Sequence, residues 1–155
     1  MHDLIRLISF IFRTYFDTIK QYIPEIAQLK KLENIHPSVV IHQNILKISE
    51  LMLDCDIVVT AGGSTMYELC ACGVPSIYFS GADNQLPGVK AFSEMGLMES
   101  AGDIRDNGEK CIQTIIIHLK DYITNANKRK VHSSLMRKIT DGNGAKRLAD
   151  EILRI

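Results

Sequence analysis

The 155-residue sequence has no excess of charge of either sign and no long apolar run, and each absence excludes a class of protein. Eighteen basic and eighteen acidic residues cancel, so the whole molecule has no electrostatic reason to bind nucleic acid or an acidic membrane. No stretch approaches the roughly 18 to 20 uninterrupted apolar residues that a membrane span requires. The sequence therefore predicts neither a nucleic-acid-binding protein nor a membrane-spanning one.

The sequence also lacks motifs for disulfides, metals and secretion. Its four cysteines contain no C-x-x-C pair and have no histidine at metal-site spacing, which predicts buried free thiols in a reducing cytosol. No carboxylate cluster of the kind that Mg²⁺ prefers is present, so no metal is expected. The apolar N-terminal run is interrupted by Arg6 and Arg13 and has no small-residue cleavage site. A cytoplasmic location is therefore expected.

The composition that is present is ordinary for a globular domain. With 46% hydrophobic and 23% charged residues, and without internal repeats or a linker, residues 1–155 are expected to form a single domain.

Short apolar runs alternate with helical patterns along this chain. Strands are predicted at Ser38–His42, Ile57–Thr60 and Ser76–Phe79, and helices at 23–34, 46–53, 65–72, 86–95, 109–120, 121–138 and 145–155. Residues 4–16 fit either a helix or a strand. Strands that are apolar on both faces and separated by helices are typical of a parallel sheet with helices on both sides. The predicted fold is α/β: a Rossmann-like three-layer sandwich with a mostly parallel sheet of about four strands and a helical C-terminal flank.

The segment Ala61–Thr65, A-G-G-S-T, joins a predicted strand to a predicted helix. In open parallel sheets, ligands bind beyond the carboxyl ends of the strands, where loops lead into helix N-termini. Gly62 and Gly63 let the backbone turn without a Cβ, and Ser64 or Thr65 can cap the helix while its N–H groups point outward. A diphosphate suits this position, although the same residues also suit a tight, well-capped turn with no ligand.

Two further polar groups are predicted at the same edge of the sheet. Glu68 lies in the first turn of the helix, where its carboxylate can accept both hydroxyls of a ribose, complete a capping box with Thr65, or face solvent. Asn84 and Gln85 follow the next strand, and their paired donors and acceptors suit sugar hydroxyls and N-acetyl groups. The alternative is a polar loop with an Asp/Asn turn.

The run from Leu51 to Gln85, which contains A-G-G-S-T-x-x-Y-E-L, G-V-P-S and A-D-N-Q, carries a family resemblance. It resembles the nucleotide-binding C-terminal domain of GT-B fold glycosyltransferases, and most of all the group of the pseudaminic acid pathway UDP-sugar hydrolase and spore-coat polysaccharide proteins. The later motif D-G-x-G-A-x-R, from Asp141 to Arg147, is similar to the C-terminal helix entry of that group.

The resemblance implies a UDP-sugar binder, the donor-binding half of a glycosyltransferase or UDP-sugar hydrolase in polysaccharide biosynthesis, with no cofactor. It implies that the diphosphate lies near Gly62, Gly63, Ser64 and Thr65, the ribose near Glu68, and the sugar near Asn84 and Gln85. It also favours a strand over Ile8 to Arg13.

Enzymes of this family have a second, N-terminal domain that supplies the acceptor site or the catalytic base, and this chain contains no counterpart of it. The first strand of the C-terminal domain, with its own glycine-rich turn, is also not recognisable. The resemblance therefore implies a separate N-terminal domain or subunit. Two alternatives stay open: a non-catalytic partner subunit, and a truncated fragment whose exposed sheet edge favours a homodimer. No catalytic residue is predicted, since His42 has only its strand-end position in its favour.

Overall fold

A computed structural model of the chain describes residues 8–11, 30–31, 33–36, 38–40, 42 and 45–154, the first four by their backbone alone. The chain forms two compact units, one of residues 1–12 and 49–155 and the other of residues 13–48. In the second unit, residues 30–31 and 33–35 are helical, within the helix predicted over 23–34. The rest of that predicted helix lies outside the described residues.

The first unit alternates strands and helices. Its elements, in chain order, are β1 (Ile8–Ile11), α1 (Ile48–Asp54), β2 (Ile57–Ala61), α2 (Thr65–Cys72), β3 (Ser76–Ser80), a 3-10 turn (Asp83–Gln85), α3 (Leu86–Glu94), β4 (Glu99–Asp103), α4 (Gly108–Thr124), α5 (Ala126–Ile139) and α6 (Gly144–Ile152). The long C-terminal run of helices confirms the predicted helical flank.

The strands lie side by side in chain order, and each pairs in parallel with its neighbour. Val59 is in register with Ile77, and Ile77 with Glu99. β1, described by its backbone, pairs with β2 in the register Ile8 to Ile57, and it lies within the interval where the family resemblance favoured a strand. The parallel pairing and the helices that connect the strands confirm the predicted α/β class with a parallel sheet.

Helices cover both faces of this sheet. Because side chains alternate along a strand, Ile57, Val59 and Phe79 face one side, where they form a core with Cys111 and Tyr122 of α4. Buried residues on the opposite face pack with α2 and α3, and the Tyr78 hydroxyl donates a hydrogen bond of 2.7 Å to the Val89 carbonyl of α3. The resulting three layers leave the carboxyl edge of the strands as the place where loops meet.

Two predictions about secondary structure are wrong. The described residues of the range Ser38–His42 do not form the predicted strand: Ser38 lies in a turn, and Val39, Val40 and His42 have no regular secondary structure. Val40 is 63% exposed, so its β-branched side chain gains no sheet packing, on which strand preference depends. The single helix predicted over 121–138 is broken at Asn125, whose side chain caps α5 by accepting a hydrogen bond from the Lys128 N–H at 3.0 Å.

Within the described part of the chain, no helix has both the length and the apolar character needed to cross a membrane.

Candidate functional site

The turn after β2 starts with Gly62, which is closely packed against α3. The Gly62 N–H donates a 2.7 Å hydrogen bond to the Phe79 carbonyl, which extends the pairing of β2 with β3 by one residue. A Cβ at Gly62 would lie 2.6 Å from Cγ2 of Val89. Gly62 therefore lets α3 approach the end of β2, and its N–H is not available to a ligand.

The next three residues present backbone donors at the start of α2. The N–H groups of Gly63, Ser64 and Thr65 have no acceptor among the described residues, while those of Met66 and Tyr67 donate back to the carbonyls of Gly63 and Ser64. Gly63 has a φ of 157°, which residues with a side chain rarely adopt. The Ser64 side chain makes no capping hydrogen bond. Three adjacent donors at the positive end of a helix dipole form a cradle suited to an anion.

Glu68 is half-buried in the first turn of α2, one helical turn before Cys72. Burial raises the pKa of the Cys72 thiol, while the Arg137 cation lowers it and the Glu68 carboxylate raises it further. The Glu68 carboxylate and the Arg137 guanidinium, which donates a 3.0 Å hydrogen bond to the Cys72 carbonyl, are therefore both close enough to act on the Cys72 thiol.

The Asp83–Gln85 turn brings the two predicted amides to the same edge of the sheet. Cβ of Gln85 lies 3.6 Å from the position that a Cβ on Gly62 would take, so the turn adjoins the glycine loop. The Gly81 N–H donates to Oε1 of Gln85 at 2.8 Å. Because a backbone N–H can only donate, this contact fixes the amide orientation and leaves the Nε2 hydrogens of Gln85 for a ligand. Asn84 is exposed, and its side chain makes no hydrogen bond to another described residue.

One residue of this edge, Arg105, was not predicted from the sequence. It follows β4, and its guanidinium contacts Asp103 at 2.6 Å and Asp83 at 2.8 Å. The hydrogen bonds from Arg105 hold the pKa of Asp103 well below its usual range. The only signal in the sequence was the spacing D-x-R, which was not informative because the strand β4 before it had not been predicted either.

The described part of the chain favours neither a metal site nor a reactive cysteine. It contains no group of three or more potential metal-ligating side chains. Burial raises the pKa of the Cys70 thiol to about 12, so this thiol is not a nucleophile at neutral pH. An apolar cavity of about 350 Å³ between α4 and the sheet offers no polar group to a phosphate; its lining residues are Val59, Phe79, Ile104, Ile112, Ile115, Ile116 and Leu119.

No protein-family model matches this chain, and no curated protein matches it either. The resemblance to GT-B domains therefore rests on the sequence motifs, and membership of that family stays a prediction.

Proposed function

We propose that this chain binds a nucleotide sugar, a UDP-linked amino sugar, as the donor-binding half of a GT-B type glycosyltransferase or UDP-sugar hydrolase. The observation that carries the proposal is the cradle of three N–H groups, at Gly63, Ser64 and Thr65, that have no acceptor in the described part of the chain. The cradle lies beyond the carboxyl end of a parallel strand, where α/β folds bind nucleotides.

The chemistry of the cradle suits a diphosphate. Backbone donors at a helix N-terminus stabilise negative charge without a metal ion, and they do so most strongly when charge develops on a leaving diphosphate. In transfer and in hydrolysis alike, an oxygen nucleophile displaces this group, so the cradle would serve both reactions. The acceptor site or catalytic base would come from a second domain or subunit, as in the family that the motifs resemble.

The sugar would lie beside the Asp83–Gln85 turn, which adjoins the glycine loop. Asn84 offers an amide with both a donor and an acceptor, and Gln85 offers donors alone because its oxygen is already bonded to the Gly81 N–H. This pairing suits a substituent with an acceptor oxygen, such as an N-acetyl group. The Glu68 carboxylate is the proposed partner of the ribose hydroxyls.

The direct test removes one cradle donor and controls separately for the loss of the serine side chain. Ser64 has a φ of −59°, which proline adopts without strain, so Ser64→Pro deletes a single N–H at a position that tolerates the ring. The matched control Ser64→Ala removes the hydroxyl and keeps the N–H. Because a hydrogen bond to a charged group contributes about 1.5–3 kcal/mol, we expect Ser64→Pro to weaken UDP binding by about tenfold or more, and Ser64→Ala to change it little.

Both affinities are measured by calorimetry, while NMR follows the amide signals of residues 63–65 during titration with pyrophosphate, UDP and UDP-N-acetylglucosamine. Glu68→Gln should weaken UDP binding and leave pyrophosphate binding unchanged, since the ribose contact is the one it removes. The proposal fails if the parent protein shows no amide shift at millimolar UDP, or if Ser64→Pro binds UDP as tightly as Ser64→Ala does.

A further inference from the structure

Arg105 joins two carboxylates at the carboxyl edge of the sheet. Its Nε lies 3.0 Å and 3.2 Å from the two carboxylate oxygens of Asp103, its Nη2 lies 2.6 Å from Oδ2, and its backbone N–H donates to Oδ1 at 2.9 Å. The Asp103 side chain is only 9% exposed and ends the strand β4. These contacts fix the guanidinium to the rigid sheet and leave Nη1 directed elsewhere.

That remaining nitrogen contacts the turn after β3. Nη1 of Arg105 lies 2.8 Å from Oδ1 of Asp83, whose side chain is otherwise 88% exposed. Within the turn, the Gln85 N–H donates to the Ala82 carbonyl at 3.1 Å, and the Gln85 side chain bonds back to Gly81. Through its contacts with Asp83 and Asp103, Arg105 links the outer side of this turn to the end of β4.

We propose that Arg105 is a positioning residue that sets the orientation of the Asp83–Gln85 turn and, through it, the selection of the sugar. The second half of this statement rests on the proposed function, in which Asn84 and Gln85 contact the sugar. Arg105 touches neither the glycine loop nor the cradle donors in the described contacts, so its substitution should affect the sugar more than the diphosphate.

The geometry needs a guanidinium in particular. One planar group spans two carboxylates by using two nitrogens on Asp103 and a third on Asp83, whereas an ammonium group is a point charge at the end of its chain. Arg105→Lys keeps the charge and loses this fork. The Arg105–Asp83 pair is exposed and contributes little to global stability, and a lysine keeps a cation beside the 9%-exposed Asp103 carboxylate. The substitution should therefore leave the fold intact and act mainly on the turn.

A matched control lies in the C-terminal helix. Nη1 of Arg147 contacts both carboxylate oxygens of the exposed Asp141, at 2.9 Å and 2.7 Å. Arg147→Lys therefore weakens an exposed arginine–aspartate pair, comparable to that of Arg105 with Asp83, in another part of the chain.

The experiment measures the sugar increment, which is the ratio of the dissociation constants for UDP and UDP-N-acetylglucosamine. We expect Arg105→Lys to keep UDP affinity within about twofold of the parent and to reduce the sugar increment at least fivefold, with Arg147→Lys unchanged in both. A role in general folding would instead weaken both ligands together and overturn the proposal, as would an unchanged sugar increment.

A second readout needs no ligand. In Arg105→Lys, the heteronuclear NOE of the amides of residues 81–85 should fall, because the turn gains motion on the picosecond to nanosecond timescale. If the parent binds no UDP, the proposed function fails while this measurement still decides the role of Arg105. In that case, NOE values that are lower in Arg105→Lys than in Arg147→Lys support the role of Arg105 in positioning the turn. Equal NOE values in the two variants overturn that role.

Discussion

The two glycines of the β2–α2 turn, which look equivalent in the sequence, have different physical tasks. Gly62 is buried against Val89 and uses its N–H within the sheet, whereas Gly63 is exposed and has a φ of 157°. The absence of a Cβ serves close packing at the first position and backbone conformation at the second. Substitutions at the two positions should therefore destabilise the protein for different reasons.

Gly62→Ala should destabilise the protein. The new Cβ would lie 2.6 Å from Cγ2 of Val89, a β-branched residue in a helix that has one preferred rotamer and cannot turn aside cheaply. Overpacking of this kind costs about 1–3 kcal/mol of the free energy of unfolding. Urea denaturation followed by circular dichroism measures the loss.

Gly88→Ala is the matched control for this substitution. Gly88 lies in α3, and a Cβ there would meet nothing within 4 Å. Alanine in a helix is favoured over glycine by about 0.5–1 kcal/mol, so this variant should be slightly more stable than the parent. Equal stability of the two variants would show that α3 can shift to accommodate a Cβ at position 62.

At the scale of elements, the local sequence pattern predicted helices and strands correctly where several signals agreed. The helix Thr65–Cys72 was predicted with its observed bounds, because a glycine turn precedes it and Gly73 ends it with a φ of 67°. The strands β2 and β3 were predicted as apolar runs and extend one residue further than expected. In each case the propensity, the flanking turns and the tertiary environment favour the same structure.

Prediction failed where tertiary context decides the structure. The strand β4 has the sequence E-S-A-G-D, with no β-branched or aromatic residue, and it is a strand because it pairs with β3. The site residue Arg105 follows this strand and was missed with it. Likewise, the glycine loop was predicted as an anion site, but the use of the Gly62 N–H by the Phe79 carbonyl depends on strand register, which the sequence does not reveal.

The junction between α4 and α5 depends on a single asparagine. Asn125 ends α4, since its φ of −114° and ψ of 79° lie outside the helical region. Its side chain caps α5 by accepting from the Lys128 N–H at 3.0 Å. Asn125→Ala should cost about 1 kcal/mol of the free energy of unfolding, as N-cap removal does elsewhere. Thermal or urea denaturation measures the change.

Asn143→Ala provides the comparison. Asn143 precedes α6, and its side chain makes no capping hydrogen bond to that helix. Its replacement should cost clearly less than that of Asn125. A loss of the same size in both variants would mean that general asparagine propensity, rather than the cap at Asn125, accounts for the effect.

At the scale of the first unit, a cluster of charged and aromatic side chains joins the sheet to α4 and α5. Nζ of Lys128 lies 2.5 Å from Glu99 of β4 and 2.6 Å from Asp121 of α4, and Nδ1 of His118 lies 3.2 Å from Glu99. Nδ1 of His132 lies 2.8 Å from the Tyr122 hydroxyl. These contacts make the packing of three elements depend on the protonation of a small group of side chains.

His132 is the group in this cluster whose titration should be visible in global stability. Its side chain is 13% exposed, and burial lowers the pKa of its imidazole below the ordinary value of 6.5, despite the opposing effect of Glu99. Lys128 lowers this pKa further, and Asp121 raises it. With its proton on Nε2, the neutral ring accepts from the Tyr122 hydroxyl at Nδ1, whereas a protonated ring can only donate there.

The sign of the pH dependence follows from that shift. The unfolded chain binds the His132 proton near pH 6.5, and the folded protein binds it only at lower pH. The contribution of neutral His132 to the free energy of unfolding is therefore complete above pH 6.5. It decreases as the pH falls from 6.5 to the folded pKa, and it is constant below that. One group of this kind changes the free energy of unfolding by at most about 1.4 kcal/mol per pH unit.

His132→Gln keeps a polar side chain that does not titrate, and the other four histidines are the same in both proteins. The free energy of unfolding should therefore fall more steeply between pH 7.5 and pH 5 in the parent than in the variant, whatever their difference at pH 7.5. Urea titrations at half-unit pH intervals measure both slopes. Parallel curves would mean that protonation of His132 is accommodated without loss, by rotation of the Tyr122 hydroxyl toward the Ser76 carbonyl at 3.4 Å.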